Sequence, residues 1–429
     1  MLPNFDYEKY NNRNKLRFRF ILFIKFFIAA AVICIPVIYY IGVSHNPRIA
    51  AIAAERRLAL ENLISPQDYI LYTDDIYEPK IVNDPLYEPS EPAILHGIKY
   101  AENGGIFELP VRGATGWAAN NIHMWETPSP GAIRLTSLSP GQGFTILEES
   151  DSLWYIRLSD GTQGWIQHRG AFVNLPDILP SIIYRITNVS GAVFKSSGYD
   201  IPKVTNVSFY DGRAFNYRLN RYEYIVPLMY TAAIDLAAVQ KAAMYDGFTI
   251  VVYEAFRPRF VQREIETGLR ALMNTNADVQ RAINTPPWHI GWFIATGTSN
   301  HQRGAALDVS LARVNETEVM LTGDYLFYRI TDYQDMLMPT PMHELSPQAA
   351  VFNRAVVIST INLLPSLNFA ENFGLHAERM QNYFIDAGFL PLASEWWHFD
   401  HPYSSRIGQA MRHTGDFTIT EIFSTAPCD

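Results

Sequence analysis

The sequence predicts an α+β fold preceded by a small all-β barrel and an N-terminal transmembrane helix. Three observations predict this arrangement. Residues 21–43 are almost wholly apolar. Residues 119–178 carry short strand-like segments broken by Pro-Gly and Asp-Gly turns. From Ser181 onward, helix-period and strand-period segments alternate.

The apolar stretch is roughly 23 residues, enough to cross a bilayer as a helix. Lys9, Arg13, Lys15, Arg17 and Arg19 precede it, against only Asp6 and Glu8. The positive-inside rule then makes residues 1–20 a cytoplasmic tail and puts everything after Val43 on the extracytoplasmic side of the membrane. A cleaved signal peptide is the rival reading. Ala51-Ile52-Ala53 offers a small-residue cleavage site, but the apolar core is long for that purpose. Residues 44–118 read as stalk and linker, helical at 50–63 and then rich in proline and acid at 65–92.

In residues 119–178, Pro128-Ser129-Pro130-Gly131 and Ser139-Pro140-Gly141 are turns. Trp154-Tyr155-Ile156-Arg157-Leu158 alternates into the turn Ser159-Asp160-Gly161, and Gly164-Trp165-Ile166 follows. Short strands at this spacing predict a small barrel. The order of these turns and strands resembles a bacterial SH3-like domain. Its usual opening Leu-Asn-Val-Arg is replaced by Asn121-Ile122-His123-Met124-Trp125, so the resemblance leaves a wall-binding module and a plain spacer barrel both open.

Residues 181–429 form the second folded region. Helices are predicted at 232–245, 259–273 and 378–387, and strands at 248–253, 305–311 and 396–399. Apolar residues make up 48% of the chain, ample for a buried core. The net charge of -9 argues against a nucleic-acid partner, whose binding face would be basic. Cys34 and Cys428 alone cannot build a disulfide framework.

The chemistry concentrates in two short segments, Ser299-Asn300-His301-Gln302-Arg303-Gly304-Ala305-Ala306-Leu307-Asp308 and Glu395-Trp396-Trp397-His398. Side chains alternate along a strand, so Asp308 lies with Ala306 and Ser310 on one face and Leu307, Val309 and Leu311 on the other. A carboxylate between small residues faces a space that a cation fits. Gly304 lets the chain bend so that His301 returns to the same side. Glu395 and His398 are three apart, so a bend at Ser394-Glu395 is needed to bring both to one pocket. Two imidazoles and one carboxylate make a catalytic zinc (Zn²⁺) site with an open position for water, and Glu395 is left as the base for amide hydrolysis. Arg257, in Phe256-Arg257-Pro258 just past a buried strand, can hold a developing oxyanion or a substrate carboxylate; the bland alternative is a structural ion pair. His401, three after His398, reads as a surface residue, the alternative being support of the site through its ring nitrogen.

Ser299-x-His301-x-x-Gly304-x-Ala306-x-Asp308 together with Glu395-x-Trp397-His398 resembles the zinc D-Ala-D-Ala dipeptidase and D,D-carboxypeptidase family over roughly residues 182–405. Phe256-Arg257-Pro258 is similar to its dipeptidase branch, which includes the vancomycin-resistance dipeptidase. The resemblance implies a domain with a central antiparallel sheet, zinc on His301, Asp308 and His398, Glu395 as base, Arg257 stabilising the transition state and Ser299 holding the substrate's terminal carboxylate. It puts His343 where the dipeptidase branch has an aspartate that grips the substrate amine. Substrate length is therefore open between a free dipeptide and a longer peptidoglycan stem. Two other classes stand beside this one. A mononuclear iron oxygenase uses two histidines and a carboxylate but has no need of Glu395, and a non-catalytic peptidoglycan-binding protein has no need of an intact site.

Overall fold

The computed structural model describes residues 106–129 and 131–427. The predicted cytoplasmic tail, transmembrane helix and most of the stalk lie outside the described residues. Among the described residues, no helix is long and apolar enough to cross a membrane. All of them belong to one compact unit.

Strands β1 (Thr115–Ala118), β2 (Ile122–Trp125), β3 (Arg134–Leu138), β4 (Gly143–Ser150), β5 (Leu153–Arg157), β6 (Gln163–Gln167) and β7 (Ala171–Asn174) form an antiparallel sheet. Its order is β7-β1-β4-β5-β6-β2-β3. Trp117, Phe144, Trp154, Ile156 and Phe172 fill its inner side, each with almost no exposure. Alternation explains this: Trp154 and Ile156 of β5 are buried, while Leu153, Tyr155 and Arg157 are only partly covered.

Two small hairpins follow, β8 (Ile183–Tyr184) aside: β9 (Lys195–Ser196) with β10 (Tyr199–Asp200), and β11 (Arg213–Asn216) with β12 (Arg221–Tyr224). Then β13 (Pro227–Met229) pairs with β7 and extends the first sheet. The sheet therefore takes its eighth strand from well beyond the seam expected near 178–181. The last residues of the chain also return to it. Trp117 Nε1 donates to Glu421 O at 3.1 Å, Thr145 Oγ1 to Phe423 O at 2.8 Å, and Thr425 N to Gly113 O at 2.8 Å. Asp177, fully buried, accepts from Thr115 N at 2.9 Å, Asn216 Nδ2 at 2.6 Å and Ser424 Oγ at 2.6 Å. One apolar core runs from Phe107 to Ile419 through both parts.

The second sheet has the order β17-β18-β15-β14-β8, built from β14 (Phe248–Glu254), β15 (Ala306–Thr322), β17 (Leu390–Leu392) and β18 (Glu395–Asp400). All pairs are antiparallel except β14 with β8. The helices Tyr230–Tyr245 and Leu375–Asp386 pack against it, and Arg259–Thr275 follows β14. β15 is much longer than the expected strand at 305–311. Its first seven residues are buried, and its outer part leaves the core to form a hairpin with β16 (Tyr325–Asp335). The helix Pro402–Ala410 was not expected. His401 caps it through Nδ1, which accepts from Ser404 N at 3.2 Å, and bonds Asp235 through Nε2 at 2.8 Å; it is buried, not on the surface.

The two sheets meet at Gly304. Its φ is +64°, its carbonyl accepts from Met229 N at 2.8 Å, and a Cβ there would stand 2.4 Å from the ring of Phe172. Gly304→Ala is expected to destabilise by about 1–3 kcal/mol through overpacking and left-handed strain. Gly297→Ala, with no heavy atom within 4 Å of its Cβ, is expected to stay within about 0.5 kcal/mol of the parent in the same denaturant titration. Equal midpoints for the two variants would contradict this packing.

Candidate metal centre

Three adjacent strands carry the centre in one row. Glu254 of β14 lies opposite Asp308 of β15, and Asp308 lies opposite His398 of β18. A register shift between Val252 and Glu254 turns Glu254 into this row. A second irregularity, where Leu392 pairs with Glu395 although Pro391 pairs with Phe399, supplies the bend that brings Glu395 to the same side as His398. His398 Nδ1 is 3.9 Å from a Glu395 oxygen.

His301 comes from the turn before β15. Its Nδ1 donates to Ala255 O at 2.8 Å, and its own carbonyl accepts from Arg257 N at 3.2 Å. This sews the turn to the end of β14. His398 Nε2 donates to Asp400 at 3.0 Å. In both neutral rings the second nitrogen is therefore a lone pair. Those lone pairs and Asp308 Oδ1 converge: His301 Nε2 to His398 Nδ1 is 3.1 Å, His301 Nε2 to Asp308 Oδ1 is 3.2 Å, and His398 Nδ1 to Asp308 Oδ1 is 3.1 Å. Three acceptors cannot face one another in a buried corner without a positive charge between them. Ligands of a tetrahedral zinc ion at bond lengths of about 2.0–2.1 Å stand about 3.3 Å apart, so the donor set and its spacing fit that ion.

Protonation answers the same demand when no ion is bound. Burial by itself would raise Asp308, but His301, His343 and His398 hold its carboxyl well below the usual range. Burial would lower His398, yet Asp400 and Asp308 hold its imidazole well above the usual range. Metal binding must displace this proton, so it weakens in acid.

Arg257 is buried and its donors are committed. Nε bonds Glu254 at 2.7 Å, Nη1 bonds Gln262 at 2.7 Å, and Nη2 bonds Glu254 at 2.5 Å and Asp308 Oδ2 at 3.3 Å. It is an ion pair as well as a wall of the site, because it also lines a cavity of about 420 Å³ together with Ser299, His301, Asp308, Glu395 and His398. Ser299 is tied to Gln302 through both its N–H and its hydroxyl. Trp292, Phe293 and Trp397 add aromatic surface to that cavity. His343 lies elsewhere: it is fully buried behind Asp308, its Nε2 3.0 Å from Oδ2, and it is not part of the cavity wall. Glu254, Asp308 and His343 also approach closely enough to share an ion. Both oxygens of Glu254 already bind Arg257, so the cation in that corner is the guanidinium.

Two residues that matter here were not singled out from the sequence. Glu254 holds Arg257, and an acid three residues before a buried arginine is a readable signal. Asp400 holds His398, and a spacing of two along a strand puts both on one face.

Burial pushes the Glu395 carboxyl up to about 8, with Asp308 and Asp400 adding to the rise and His398 and Arg257 opposing it. Without metal, the folded protein keeps a proton there that the unfolded chain, at 4.5, gives up. Stability of the metal-free protein is expected to fall as pH rises from 4.5 to 8, because the folded state binds more protons across that window. Glu395→Gln is expected to flatten that part of the profile in denaturation measured at several pH values. An unchanged slope would show that Glu395 is not the group responsible.

No curated protein matches the chain. Residues 223–415, the stretch that supplies Arg257, His301, Asp308, Glu395 and His398, match the family described as D-ala-D-ala dipeptidase.

Proposed function

We propose that this protein is a zinc-dependent peptidase that hydrolyses the D-Ala-D-Ala bond of cell-wall precursors or peptidoglycan stem peptides. The carrying observation is the convergence of His301, Asp308 and His398 beside Glu395 on the wall of one cavity. The match of residues 223–415 to a family described as D-ala-D-ala dipeptidase supports the reaction class.

His301, Asp308 and His398 would hold the zinc. Bound there, it would supply a Lewis acid that makes water more acidic, and its charge would favour the ionised form of Glu395. Glu395 takes the proton of the attacking water and delivers it to the leaving amine. Arg257, locked by Glu254 and Gln262, presents a fixed positive charge to the oxyanion that develops on the scissile carbonyl. Ser299, on the same wall, would hold the substrate's terminal carboxylate. Trp292, Phe293 and Trp397 limit the water that reaches the reacting bond.

A second reading, D,D-carboxypeptidase action on longer stems, is favoured by one observation. His343, expected at the amine-gripping position, does not line the cavity. The wider setting completes the proposal. A single N-terminal transmembrane helix would hold the catalytic domain on the extracytoplasmic side, and the small β-sheet domain would contact peptidoglycan.

Glu395→Gln is expected to slow hydrolysis by about 10²–10⁴-fold while zinc content stays at the parent level. The assay is amine release from D-Ala-D-Ala and from a pentapeptide stem, followed by mass spectrometry of digested muropeptides. Undiminished hydrolysis by this variant would remove Glu395 from the mechanism. Failure of the zinc-loaded parent to cut either substrate would sink the proposed activity.

A further inference from the structure

Asp308 treats its two oxygens differently. Oδ1 faces His301 and His398 at 3.2 and 3.1 Å. Oδ2 points the other way, to His343 Nε2 at 3.0 Å and Arg257 Nη2 at 3.3 Å. The same Arg257 nitrogen makes a shorter bond to Glu254, so His343 is the closer and less divided partner of Oδ2.

His343 itself is held from every side. Its ring stacks on Phe194 with centroids 4.0 Å apart and planes 6° from parallel, and Trp397 meets it edge-on at 5.8 Å. Its carbonyl accepts from Lys195 N at 3.0 Å, and the carboxylate of Glu344 accepts from Ser197 N and Gly198 N. Its φ is +60°, a left-handed conformation that costs an ordinary residue free energy and persists only where the surroundings enforce it. Nδ1 is buried with no partner. That suits a neutral ring whose one proton sits on Nε2, since an orphaned lone pair is cheaper to bury than an orphaned N–H. Packing alone would be served by any flat apolar ring. A donor aimed at Asp308 is the feature histidine adds to such a ring.

We infer that His343 is a positioning residue of the metal centre: it fixes Asp308 through Oδ2 so that Oδ1 alone is presented between His301 and His398. This rests on the reading of that corner as a zinc site. Partners behind metal ligands typically tune affinity by 10–100-fold.

The test compares two substitutions in the full chain. His343→Phe keeps a flat ring on Phe194 and removes the donor. His343→Gln loses the stack and keeps an N–H at similar reach. Zinc affinity is measured by competition with a chromophoric chelator, and thermal unfolding of the metal-free proteins is recorded alongside. His343→Phe is expected to bind zinc about 10–100-fold more weakly, and His343→Gln to stay within about threefold of the parent. Parent-like affinity in His343→Phe would overturn the inference, as would a His343→Gln as weak as His343→Phe. A parent that binds no zinc would instead sink the metal centre itself.

Discussion

Three hydrogen-bond acceptors aimed at one another are the constraint around which this domain is arranged. His301 donates one N–H to Ala255 O and His398 donates one N–H to Asp400, so in the neutral rings each offers a lone pair to the space where Asp308 also points. In a dry corner that arrangement is repulsive until a positive charge enters. The surroundings are built to keep the donors from relaxing apart. Two sit on paired strands at directly opposed positions, and the third is tied to the strand on the far side. A cation in that corner would relieve an energy the backbone holds in place.

A second layer of charge stabilises the first. Asp308, Glu254 and Glu395 bring three acids into the buried region, and Arg257 answers two of them directly. Pairing with Glu254 removes most of the guanidinium's freedom, which is unfavourable for binding a mobile group and favourable for meeting a charge that appears only during reaction. Glu395 is left with weaker compensation. Its carboxyl accordingly sits well above the usual carboxylate range.

Much of the site could be read from the chain because its signals are local. His301 and Asp308 are joined by a turn whose glycine permits the bend, and strand alternation puts Asp308 on a face of its own. The buried strand at Phe248–Glu254 and the helices flanking it followed from apolar periodicity. The need for a bend before His398 was also legible, though its cause, a break in the β17–β18 register, was not. What escaped depends on partners far along the chain. The row Glu254, Asp308, His398 exists only through strand pairing, as does the contact of His343 with Oδ2. Similarity to a dipeptidase pattern drew His343 towards the substrate, whereas its left-handed backbone and its stack on Phe194 turn it to the rear of the centre. The outer half of β15 escaped because a solvent-exposed hairpin carries no strict core alternation.

The return of residues 417–425 to the first sheet bears on how the molecule comes into being. Thr115, Trp117 and Thr145 lie early in the folded region, and their partners Ser424, Glu421 and Phe423 follow 309, 304 and 278 positions later. A nascent chain could therefore not close its first sheet as the strands of that sheet arrive. The two ends of the fold mature together, and the earliest strands wait, incompletely covered, for residues 417–425 to be delivered.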